Sequence, residues 1–124
     1  MSATDIHFLL NLRNQLKLYH WQTKSYARHI AVDKVLGDLD QLIDSYVEIY
    51  IGKYGRPKVT GDNAILRMQN LTDAGAQKLA MKAITYMQKQ LVAHLDRSQD
   101  TDLVNLKDEM VGQMHQLMYL FTLS

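Results

Sequence analysis

At 124 residues, 47% hydrophobic and 22% charged, the chain has room for one core but not for two. A formal net charge of +1 offers no clustered basic excess for nucleic acid, and the absence of cysteine excludes disulfides, thiolate metal sites and a cysteine nucleophile. No apolar run is long enough to span a bilayer and the opening MSATDIHFLL has no secretory-leader pattern, so the expected setting is cytoplasmic, in the host cytoplasm if the chain is virus-encoded.

Apolar residues at Ile6, Leu9, Leu10, Leu12, Leu16 and Tyr19 predict a first helix. Thr4 is its expected N-cap, with Asp5 in the first turn, and it should end between Trp21 and Lys24. A second helix is expected from Tyr26 to about Ile51, carried by Val32, Val35, Leu36, Leu39, Leu42, Ile43, Tyr46, Val47 and Tyr50, with Gly52 and Gly55 stopping it. The stretch from Lys53 to Asn70, which holds the single proline Pro57, reads as a crossover with one short helix over Asp62 to Gln69. Thr72 or Asp73 should cap a third helix running to about Asp96, with Ala76, Leu79, Ala80, Ala83, Ile84, Met87, Leu91 and either His94 or Leu95 facing inward. A short loop at Ser98 to Asp100 places the fourth helix, Thr101 to Phe121, antiparallel to the third, on Leu103, Leu106, Met110, Leu117, Met118 and Phe121. Four helices with a long second-to-third connection predict an all-α, ferritin-like four-helix bundle as one domain over 1–124, other four-helix topologies remaining open.

The second helix carries the chemistry. His29, Asp33, Asp44 and Glu48 lie one helical turn apart in pairs, and His20 stands beside the only tryptophan, Trp21, on the first helix. At about 100° per residue the four fall on one stripe beside the core face, with Asp40 among them. Imidazole and carboxylate suit iron or another divalent first-row metal. Rise per residue, however, separates His29 from Glu48 by about 28 Å and Asp33 from Asp44 by about 16 Å. No ion, and no ion pair about 4 Å apart, can use both ends at once. Two half-sites remain: His29 and Asp33 joined by His20, and Asp44 with Glu48. A two-fold axis crossing the helix would bring each half-site to the other half-site of a second copy.

The pair HW followed by H-x3-D-x10-D-x3-E resembles the ferroxidase motif of the Dps mini-ferritins, and here it is carried by His20, Trp21, His29, Asp33, Asp44 and Glu48. The resemblance covers about a quarter of the chain, Leu16 to Tyr50. It implies a dinuclear iron centre between two-fold-related subunits, with His20, His29 and Asp33 from one and Asp44 and Glu48 from the other. Trp21 would lie near the metals. It further implies oxidation of Fe(II) by hydrogen peroxide or dioxygen, ferric storage in a dodecameric shell, and protection against oxidative stress. Zinc or another divalent metal could occupy the same ligands. The chain departs from the family in a shorter His20 to His29 interval, a short overall length and no Lys-rich N-terminal tail for DNA. The phrases LYHWQTKSYARH and IYIGKYGRP also resemble short uncharacterised proteins of large DNA viruses and phages.

Plainer readings stand beside these. The acidic stripe could be a solvated face whose i,i+4 pairs contribute a few tenths of a kcal/mol. His20 could be a hydrogen-bonded core histidine, Trp21 a packing residue, Asp40 a surface or supporting residue, and His115 a core or interface histidine. The Met-rich last helix reads as plastic packing, and the tyrosines as interface packing. Lys53, Arg56 and Lys58 read as a solvated loop. The competing function is a helical interaction protein without ferroxidase activity, and DNA compaction is a third.

Overall fold

The computed structural model describes residues 1–124 and is all-helical, with four helices and no strand. The first, α1, spans Ala3–Gln22. Its N-cap is Ser2, two residues earlier than expected. Ser2 Oγ accepts from the Asp5 amide at 3.1 Å and the Asp5 carboxylate accepts from the Ser2 amide at 3.4 Å, so two orphan donors of the first turn are satisfied reciprocally. Thr4 instead accepts a hydrogen bond from the Asn63 side chain.

A three-residue turn leads to α2, Tyr26–Tyr54, capped by the Ser25 hydroxyl accepting from the Arg28 amide. Gly52 does not interrupt α2. The helix stops at Gly55, whose φ of 94° is a conformation side chains disfavour. The third helix, α3, spans Asp73–Tyr86 with Thr72 as its cap, then opens into a π-helical turn at Met87–Leu91. Regular helix thus ends ten residues before the expected Asp96. The fourth, α4, is Thr101–Phe121, as the periodicity predicted.

The crossover corrects the sequence reading. In place of a helix over Asp62 to Gln69 there is one 3-10 turn, Gly61–Ala64, followed by non-helical chain. The reason lies on α1. The Gln15 amide donates to the Gln69 carbonyl at 3.1 Å and accepts from the Gln69 amide at 2.8 Å. Gln22 accepts from the Leu71 amide and donates to Asn70, and the His7 imidazole donates to the Ile65 carbonyl at 2.9 Å. Side chains of α1 thus supply partners that the crossover backbone would otherwise seek within a helix of its own.

These contacts carry the chain along α1 from its start to its end and set the helix directions. At one end Tyr19 and Asp73 meet; at the other Tyr86 reaches Asp5. Arg28 at the start of α2 meets Phe121 and Ser124 at the end of α4, whereas Lys53 at the end of α2 meets Asp100 and Asp102. Hence α1 and α4 run one way and α2 and α3 the other.

One cluster of 22 buried apolar residues lies between the helices. From α1 come Leu9, Leu12, Leu16 and Tyr19; from α2, Val32, Val35, Leu39 and Tyr46; from α4, Leu103, Met110, Met114 and Leu117. The face of α3 is built largely from Ala76, Ala80 and Ala83, small enough for its backbone to sit close to its neighbours. His94 and His115 are exposed, so neither is a core residue. Of the tyrosines, Tyr19 and Tyr46 are core, while Tyr26, Tyr54 and Tyr119 reach solvent. No helix is long and apolar enough to cross a membrane.

Candidate metal centre

The turn between α1 and α2 brings His20 and His29 face to face. Their rings stack at a centroid distance of 3.8 Å, inclined by 14°. His20 Nδ1 lies 2.8 Å from the His29 carbonyl, and His29 Nδ1 lies 2.7 Å from the His20 carbonyl. A carbonyl oxygen can only accept, so both Nδ1 atoms must carry hydrogen. In its neutral form each ring therefore keeps its lone pair on Nε2. This reciprocal clasp sets both tautomers and ring planes, which is what a metal-binding imidazole requires of its surroundings. The short His20 to His29 interval is what lets each ring reach the other's backbone.

Asp33, one turn beyond His29, places a carboxylate oxygen 3.9 Å from His20 Nε2. His20 is buried, at 7% exposure, whereas the Asp33 side chain is 64% exposed. The half-site thus has a shielded nitrogen wall and an open acidic edge. Within the chain no three His, Asp or Glu side chains converge to hold a metal ion. The expected trio is gathered only to this extent.

Arg28 anchors the clasp from the other side. Its Nη1 donates to the Tyr19 hydroxyl and to the Asp73 carbonyl, both at 3.0 Å. Its Nε donates to the Ser124 hydroxyl, and the guanidinium lies 4.2 Å from the Phe121 ring centroid. Tyr19 OH in turn donates to Asp73 at 2.5 Å, which holds the Asp73 carboxyl below the usual carboxylate range. Burial, reinforced by that same bond, raises the Tyr19 hydroxyl above its ordinary value. The residues flanking the histidines in sequence, Tyr19 and Arg28, are thereby tied to all four helices. Arg28 carries no signal in the sequence beyond its adjacency to His29.

The second half-site sits further along α2. Asp44 and Glu48 are exposed, and their carboxyls approach closely enough to share a hydrogen bond, which raises the Glu48 carboxyl above its usual range. Like charges at i,i+4 destabilise an isolated helix by a few tenths of a kcal/mol, a repulsion that a bound cation would relieve. Since α2 is continuous from Tyr26 to Tyr54, the two half-sites cannot meet within one chain.

Trp21 is 67% exposed and packs on neither histidine; the Lys17 ammonium lies 5.5 Å from its ring. Asp40 is occupied by Arg13 Nε at 2.8 Å, a surface ion pair. Lys53 does not belong to a solvated loop: it donates to Asp100, Asp102 and the Gln99 carbonyl.

A family model described as a family of unknown function, DUF5856, matches residues 20–121, and the chain belongs to that family. Over 37 residues the chain is 51% identical to an uncharacterised 14.6 kDa protein from the mobD-ri intergenic region of Enterobacteria phage T4. That match covers 30% of this chain and 29% of the phage protein, so it spans under a third of either. No solved structure matches the chain.

Proposed function

We propose that this DUF5856 member is a ferritin-like protein, one domain over its 124 residues, that binds and oxidises Fe(II) at a site shared by two copies. The observation that carries the reading is the His20–His29 clasp, which leaves both Nε2 lone pairs free and sets that of His20 3.9 Å from Asp33, a residue of the same helix as the Asp44–Glu48 pair. The helix directions, with one long crossover, are those of ferritin-like folds. His20, His29 and Asp33 of one copy would bind iron together with Asp44 and Glu48 of the second.

The required two-fold axis would cross α2 midway between the half-sites, next to Gly37. There the helix surface is bare: a Cβ on Gly37 would meet nothing within 4 Å in its own chain. Glycine inside a helix costs roughly 0.5–1 kcal/mol relative to alanine, and a closely packed second α2 would give that cost a purpose. Asp33 of one copy then faces Asp44 of the other, so the acidic edges converge on a cation. Fe(II) is the substrate. Hydrogen peroxide, as oxidant, takes one electron from each of two Fe(II) ions and two protons from solvent, leaving as water. Neutral imidazole and carboxylate ligands favour the ferric product without the thiolates that peroxide would attack. Storage of that product calls for the dodecameric shell.

Particle mass by light scattering and anaerobic Fe(II) loading followed by peroxide test this together. Wild type is expected as a dimer or larger multiple, oxidising Fe(II) faster than buffer, with His29→Ala and Asp44→Ala each abolishing the excess rate. Rates equal to buffer for all three proteins would refute oxidation, and a strict monomer would remove the site. The exposed apolar side chains of Trp21, Tyr26 and Ile30, close to the α1–α2 turn, favour a second reading, a helical interaction protein without ferroxidase activity. Dimers that bind zinc or iron but fail to oxidise would fit it.

A further inference from the structure

A cavity of about 270 Å³ lies at the opposite end of the molecule from the histidines, between the π turn and α4. Two irregularities meet there. The π turn puts an extra residue into the helical register of α3, a feature that concentrates at functional sites. Lys107 occupies a position in the inward-facing series Leu103, Met110, Met114 and Leu117 where every other residue is apolar, and it is only 8% exposed. Its ammonium donates to Gln88 Oε1 at 3.0 Å and to Asp108 at 2.6 Å. An ammonium has three donors, so one remains for the cavity that Lys107 lines.

The rest of the lining is consistent with one ligand chemistry. Arg97 contributes an exposed guanidinium that makes no ion pair or hydrogen bond within the chain. Because Gln88 turns its oxygen to Lys107, its NH2 group remains a free donor. The only acidic group, Asp108, is already engaged by Lys107, which leaves the lining one positive charge in excess. Val92, Leu95 and Val104 form an apolar wall beside these donors. Guanidinium binds a carboxylate through two parallel hydrogen bonds, while the wall suits a few methylene groups rather than a wholly hydrated ion.

We propose that this cavity binds a short aliphatic carboxylate, held by Arg97 and Lys107 at the charged end and by Val92, Leu95 and Val104 along its chain. The site is independent of the proposed metal centre. Backbone amide NMR of the full chain titrated with butyrate tests it. Saturable shifts are expected at Val92, Leu95, Val104 and Lys107, with affinity falling about tenfold in Arg97→Ala, the scale of a lost charged hydrogen bond. Lys107→Met should weaken binding similarly while keeping the fold, since methionine fills the same core position without a buried charge. Shifts that are absent, linear in butyrate, or unchanged in Arg97→Ala overturn the proposal. Equal affinity for inorganic phosphate overturns the aliphatic part of it.

Discussion

Replacing Arg28 with alanine tests whether the turn carrying the two histidines is held by the rest of the fold. The substitution removes two hydrogen bonds of 3.0 Å from a charged donor, to the Tyr19 hydroxyl and the Asp73 carbonyl, and a cation over the Phe121 ring. The bond to Ser124, near the chain end, is discounted. Charged hydrogen bonds contribute about 1.5–3 kcal/mol each at best, and a cation over an aromatic ring about 0.5–1 kcal/mol at exposed sites. The Arg28 side chain is 14% exposed, but its bond to the Asp73 carbonyl lies at the surface and is discounted as well. A loss of about 2–3 kcal/mol in urea unfolding is expected, or roughly 10 °C in Tm. Arg28→Lys keeps the charge but not the planar fork and should recover less than half of the loss. A double-mutant cycle with Tyr19→Phe should show coupling of about 1 kcal/mol, because the two side chains touch. A loss below about 0.5 kcal/mol for Arg28→Ala, the range of ordinary surface changes, would refute the reasoning.

The clasp predicts that the neutral forms of His20 and His29 are both the Nδ1–H tautomer, read from long-range nitrogen–proton correlations; an Nε2–H tautomer of either neutral ring would contradict it. At the other end of the molecule, hydrogen bonds from Tyr54, the Asp96 amide and Lys53 hold the Asp100 carboxyl below its ordinary value. Its contribution to stability is therefore complete above the unfolded-state pKa of about 4 and is lost as pH falls through the lower folded value. Asp100→Asn should lower stability at pH 7 and flatten the acid limb of the profile; parallel wild-type and variant profiles in urea would count against this. Met110→Ala, at a fully buried position, should cost about 2–5 kcal/mol without changing helix content below the transition. Gly37→Arg should leave the monomer's circular dichroism intact, because the position is open, yet shift particle mass to the monomer; an unchanged mass would move the two-fold elsewhere.

Much of this architecture was legible in local sequence. Helical periodicity located α1, α2 and α4 to within a few residues because each buries a repeating apolar stripe, and that pattern is a property of neighbouring residues. The separation of the half-sites was equally legible: helix rise is constant, so His29 and Glu48 are held apart whatever surrounds them. Tertiary structure decided the rest. The crossover is non-helical because Gln15 and Gln22 meet backbone groups 54 and 49 residues away. Regular helix ends at Tyr86, ahead of a π turn beside Lys107, a polar residue at a core position that no periodicity announces. Above all, His20 and His29 read as two ligand types on two helices, while their stacked, reciprocal bonding required the α1–α2 turn to close. A spacing constrains where side chains can be; only the packed fold sets which lone pairs remain free.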